Sequence, residues 1–148
     1  MSMSVKTLYE KDLVVWLNYT ASLLRQRRFN EVDIDNLIEE IEDMGRSEKR
    51  AVRSQLTRLL MYWLKWQYQP EKRSKSWLFS IKESRKQIER LLRESPSLKQ
   101  HLQESLDMCY QDAREDAADE TNLPIESFPV ACFLTLEQAL DKNFLPVP

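Results

Sequence analysis

The residues of this 148-residue chain best placed to do chemistry are carboxylates. Glu39, Glu40 and Asp43 form an E-E-x-x-D array, and Glu104-x-x-Asp107 supplies a second acidic pair. Hard oxygen ligands suit magnesium, and paired ions would stabilise in-line attack on phosphate, so the reaction in view is metal-dependent phosphohydrolysis. At about 100° per residue, however, Glu39, Glu40 and Asp43 point roughly opposite the apolar stripe of Leu37, Ile41 and Met44. Acids near a helix N-terminus are favourable without any metal, and the outward phase favours a solvated face. Glu48, Asp116 and Glu120 differ, because they fall within the apolar stripes of their helices. A carboxylate there needs a partner or a shifted pKa. Di-iron and di-manganese sites in helical bundles need Glu-x-x-His on two helices, and the chain has none. The expectation is that these three pair with Arg or Lys or reach the stripe's edge. No catalytic residue and no metal ligand is assigned, and no cofactor is expected.

Basic residues form the other constellation. Lys75, Lys82, Lys86, Arg90 and Arg93 lie within roughly an 80° arc of one helix, opposite its apolar face. Such a stripe can meet nucleic acid, an acidic partner or a lipid surface, or it can be solvated or paired with acids of the same chain. Trp63, Trp66 and Trp77, with Tyr62 and Tyr68, flank Lys65, Lys72, Arg73 and Lys75. Aromatics among cations can stack bases, but these tryptophans lie on core stripes, which favours packing. A sequence pI near 5.6 disfavours a dedicated DNA binder.

Counts of single residue types exclude much else. Gly45 is the only glycine and His101 the only histidine, on the polar side of its helix by phase. Phosphate-cradling loops, the dinucleotide fingerprint and the G-x-S-x-G elbow all require glycines, and zinc sites built on several histidines are excluded too. Cys109 and Cys132 lie far apart in sequence and are expected to be reduced thiols. No apolar run approaches the ~20 residues of a membrane span. The polar stretch from Met1 to Lys11 lacks an apolar signal core, so a cytoplasmic location is expected.

The elements that must position these residues are helices. Thr7-x-x-Glu10 has capping-box spacing and opens a first helix with the stripe Leu13, Trp16, Leu17, Ala21 and Leu24, closed by Arg25, Arg27 and Arg28. Residues 1–6 are expected to be disordered. A second helix runs from the Asp33–Asp35 pair to Gln69, stopped by Pro70. Its stripe of Leu37, Ile41, Met44, Val52, Leu56, Leu59, Trp63 and Trp66 keeps phase across Gly45, which favours one long helix. The third follows the Ser74/Ser76 caps. The fourth is expected to start with Ser95 as N-cap and Pro96 at its first position, and to stop at Asn122 to Pro124. Thr135-x-x-Gln138 is a capping box for a short helix, Leu136 to Lys142, within a proline-punctuated segment, 123–148, that packs on the rest. No segment alternates with period two. The fold expected is an all-α single domain over residues 1–148. It is a bundle of about four helices, at least 60% helical, with Trp16, Trp63, Trp66 and Trp77 largely buried.

Charge is segregated along this chain. Residues 1–45 carry 5 basic and 9 acidic side chains, residues 46–99 carry 15 and 5, and residues 100–148 carry 2 and 10. A basic middle between acidic ends suits nucleic acid, an acidic partner or a lipid surface, or equally contacts within or between copies.

Several stretches carry a family resemblance: Leu8-Tyr9-Glu10, the run from Asn36 to Gly45, the run from Leu64 to Pro70, Ser76-Trp77, Pro96-Ser97-Leu98, the run from Tyr110 to Arg114, and Phe128-Pro129. In this order they resemble the bacterial family catalogued as domain of unknown function 29, across nearly the whole chain. The resemblance implies a small helical protein and carries over no catalytic or binding residue. Tyr62 stands where that pattern has histidine, and Phe133 follows Cys132 where it has proline, so an activity resting on that histidine would be missing here. The acidic array also resembles, in outline, that of the all-α nucleotide pyrophosphatases. The leading functional expectation is a non-enzymatic helical module that binds another protein or itself. Accessory nucleic-acid binding through the basic face and metal-dependent phosphohydrolysis by Glu39, Glu40, Asp43, Glu104 and Asp107 are the alternatives.

Overall fold

A computed structural model describes residues 4–146 of the chain. Helix makes up 79% of it, and no strand occurs among the described residues. The chain divides into two compact units, one up to Ser47 and one from Glu48.

In the N-terminal unit the expected single first helix is two, α1 (Val5–Lys11) and α2 (Leu13–Arg25). Ser4 caps α1 by accepting a hydrogen bond from the Thr7 amide at 3.1 Å, which leaves Thr7 inside the helix and its capping box unmade. Asp12 separates the two helices. Its amide closes α1 on the Leu8 carbonyl, and its carboxylate accepts from the Val15 amide to open α2. Val5 and Lys6 belong to α1, inside the stretch expected to be disordered, whose first three residues lie outside the described ones.

α3 (Ile34–Tyr68) follows, with Asp33 accepting from the Asn36 amide at its start. It is continuous through Gly45, whose φ is negative like its neighbours'. Glycine inside a helix costs about 1 kcal/mol relative to alanine, and 35 residues of cooperative helix absorb that.

The C-terminal unit holds the second half of α3 with α4 (Lys75–Glu94), α5 (Leu98–Thr121) and α6 (Leu136–Leu140). One apolar core joins Leu56, Leu59 and Trp63 of α3 to Ile81 and Ile88 of α4, Leu102 and Ala113 of α5, and Leu136 of α6. Phe128 and Leu134 of the proline-punctuated segment enter the same core. α5 starts two residues later than expected. Ser95 closes α4 and Pro96 lies in the turn, so the N-cap is Ser97. Its stop is as expected, at Asn122 in the left-handed region, φ 60°. The capping box of α6 forms in full: the Gln138 amide donates to Thr135 Oγ1, and the Thr135 amide to Gln138 Oε1, each at 3.1 Å. The helix itself stops at Leu140 rather than Lys142.

Candidate interaction surfaces and charged clefts

The apolar stripe of α3 is buried along one half and open along the other. Val52, Leu56, Leu59 and Trp63 have essentially no exposed surface, as their periodicity requires. Ile41 and Met44, expected to be core, are 59% and 69% exposed, and Ile34 and Ile38 are about half exposed. The stripe of α2 is likewise split. Trp16, Thr20 and Leu23 are buried, whereas Leu13 and Leu17, also expected to be core, are exposed. Of the sixteen exposed large hydrophobic residues among those described, ten precede Ser47. The uncovered apolar surface is thus concentrated in one short unit.

The acids of the E-E-x-x-D array lie on the other side of this segment of α3. Glu39, Glu42 and Asp43 share a single cation, Arg46, with Glu39 at 3.1 Å and Glu42 at 3.5 Å. Glu40 accepts a hydrogen bond from the Tyr9 hydroxyl at 2.5 Å, which pushes that hydroxyl up to about 12. Glu104 accepts from the Gln100 side chain at 3.1 Å, and Asp107 is exposed. Among the described residues no group of three or more His, Cys, Asp or Glu converges where a metal could sit.

Glu48 and Asp116 are exposed, and Glu120 pairs with Lys65 at 3.8 Å, in line with carboxylates that reach a stripe's edge or find a cation. Although Asp116 is exposed, partial loss of water on its cleft side, reinforced by Asp112 and Glu120, raises its carboxyl above its ordinary value. Asp116 belongs to a cleft of about 510 Å³ between α3 and α5 that the sequence did not disclose. Arg50, Arg53 and Arg58 line one wall, and Asp112, Glu115 and Asp116 the other. Its only signal was the opposite net charge of the two segments. His101, on the polar side by phase, is half-buried beside this region with Nε2 3.1 Å from Arg53 Nη1.

The five cations Lys75, Lys82, Lys86, Arg90 and Arg93 are all exposed on α4. The ion pairs formed among them stay within the helix, Arg90 with Glu94 at 3.5 Å and Arg93 with Glu89 at 3.1 Å. The aromatic constellation is engaged by the protein's own cations. Lys65 Nζ stands 4.9 Å from the ring centroids of both Tyr62 and Trp77, and Arg73 stands 4.9 Å over Trp66. Trp16 and Trp63 are buried as expected, and Trp66 and Trp77 are partly buried, each with a cation on its face. A cation over a ring gains about 0.5–1 kcal/mol at an exposed site and about 2 kcal/mol when desolvated.

Neither thiol is activated: both cysteines are free, and burial pushes both Cys109 and Cys132 up. The two residues expected to depart from the resemblance both make ring contacts. Tyr62 offers its ring to Lys65 and Arg58, and Phe133 stands edge-on to Tyr110 with centroids 5.9 Å apart. No curated protein and no solved structure matches the chain. A family model does, over residues 8–145, and the chain belongs to the family described as domain of unknown function DUF29.

Proposed function

We propose that this protein is a non-enzymatic helical interaction module, and that the protein bound by its N-terminal unit is a second copy of itself. On this reading the second half of α3 with α4, α5 and α6 forms the bundle that carries the binding helix. The observation that carries the reading is the open apolar stripe of α3, from Ile34 to Met44. Three features of α3 favour a second, antiparallel copy as its occupant.

The first is an inversion of charge. Along one edge of the open stripe Asp35 and Glu42 precede Gly45, and Arg46 and Lys49 follow it. Two antiparallel copies crossing near this point bring the acids of each helix to the cations of the other, which is the complementarity that fixes register. The second is an incomplete internal balance. Three carboxylates share Arg46, while Lys49 forms no ion pair among the described residues. The third is Gly45 itself. A Cβ at this position would meet nothing within 4 Å, so nothing packed inside the protein calls for glycine there. A helix crossing does call for small residues, because they let two backbones approach.

The alternatives have less support. A phosphohydrolase needs carboxylates that converge, and those of the array are bonded to Arg46 and Tyr9. A single-strand binder needs free aromatic faces, and Lys65 and Arg73 stand over Trp77 and Trp66. Unpaired thiols suit a reducing compartment, which supports a cytoplasmic setting.

Sedimentation across a concentration series tests the reading. A reversible dimer is expected, abolished by Ile41→Glu with helix content unchanged. Asp35→Lys/Glu42→Lys and Arg46→Glu/Lys49→Glu should each weaken it, and mixing these two variants should restore association. A photo-crosslinker at Ile41 in cells completes the test. A chain that stays monomeric and captures no protein from that position overturns the reading.

A further inference from the structure

One arginine of α4 lies outside the basic stripe. Arg85 shares the buried face with Ile81, Ser84 and Ile88 and is only 5% exposed. Its Nε donates to the Ala139 carbonyl at 2.8 Å, and its Nη2 to the Phe144 carbonyl at 2.6 Å. Its guanidinium stands 5.3 Å over the Trp63 ring. Nη1 is buried without an acceptor, and Arg85 makes no ion pair among the described residues. Buried charges are ordinarily paired, because neutral carbonyls compensate a lost hydration shell only in part. Burial accordingly pushes the guanidinium below its usual range, with Asp141 alone opposing the shift.

Arg85 lies in the wall of a cavity of about 400 Å³, together with Lys82, Lys86, Lys142, Asn143 and Glu89. Four cations thus meet one carboxylate around a space within the size range of small-ligand sites. We propose that this cavity binds a small multivalent oxyanion, of the phosphoryl or polycarboxylate class. The lysines supply mobile point charges with several donors each, and Asn143 an amide donor. The anion supplies the counter-charge that Arg85 lacks. Because one wall comes from α4 and the other from the residues that follow α6, the bound anion also fastens the C-terminal segment to α4.

Titration of the full chain with inorganic pyrophosphate and, separately, with citrate tests this, at constant ionic strength and with amide resonances as readout. Saturable one-to-one binding is expected, with shifts centred on Lys82, Lys86 and residues 140–143. Lys82→Gln/Lys86→Gln should weaken it by at least about tenfold, the scale of two lost charge-assisted contacts. Both lysines are exposed, so this variant keeps its fold. Lys75→Gln/Arg93→Gln, on the same face but outside the cavity, should leave the affinity unchanged. Saturation by pyrophosphate alone assigns the site to phosphoryl groups, and by citrate alone to polycarboxylates. Saturation by neither overturns the proposal, as does an equal response of the two double variants.

Discussion

Arginine stays protonated, so in the contact between Arg53 and His101 Nη1 donates and Nε2 accepts, and the imidazole is neutral with its proton on Nδ1. Burial is the first reason that the His101 pKa lies below its ordinary 6.5, and the charges of Arg53 and Lys49 add to it against Glu104. The unfolded chain therefore takes up this proton more readily than the folded one. His101's contribution to stability is present in full above about pH 6.5 and is lost as pH falls from there towards the lower folded value. We expect His101→Gln, which cannot titrate, to flatten this part of the stability profile, measured by denaturant unfolding at a series of pH values. Equal slopes for wild type and variant would contradict the assignment. Arg85 shows what spacing could have revealed at this scale. It falls four residues after Ile81 and three before Ile88, on the stripe, and only its residue type hides it among solvent-facing cations.

The end of α2 shows how an element is closed against local preference. The Arg27 amide donates to the Leu24 carbonyl and the Arg28 amide to the Leu23 carbonyl, the paired bonds of a helix terminus that favours glycine at the left-handed position. Arginine occupies that position here, with φ 61°. A left-handed non-glycine residue costs roughly 1–2 kcal/mol, part of which a glycine returns through the greater freedom of the unfolded chain. Arg27→Gly should raise stability by a net of about 0.5–1 kcal/mol in chemical denaturation; a variant no more stable than wild type would show that the arginine is held there by contacts worth as much. Helix ends with one strong signal were legible in the sequence: Asp33 before α3, Pro70 after it, and the capping box of α6. Ends with competing signals were not. Ser95 and Ser97 both flank Pro96, and either can cap a helix. The break at Asp12 depends on one residue turning to φ −150° between two segments that each favour helix.

At the scale of the whole molecule, periodicity tells which residues are apolar and not what covers them, because a core stripe and an interface stripe obey the same spacing. The stripe of α3 was therefore legible from end to end, while the change from cover to exposure between Val52 and Met44 was not. The same limit hid both charged clefts, which depend on which segments lie side by side. In self-association the open stripe should outweigh the charges. Full burial of an aliphatic side chain contributes about 1.5–3 kcal/mol, against roughly 0–1 kcal/mol for an exposed ion pair, so the charges set register more than affinity. Gly45 separates the protein's own stability from the proposed association with a second copy. An alanine there gains about 1 kcal/mol of helix stability, and inside the protein its Cβ meets nothing within 4 Å. At a close crossing of two α3 helices the same methyl group meets the other backbone. Gly45→Ala should therefore raise the unfolding free energy in an Ile41→Glu background, where no dimer forms, and weaken association in the wild-type background, followed by sedimentation. If alanine stabilises the protein and leaves the dimerisation constant unchanged, the helices cross elsewhere along α3.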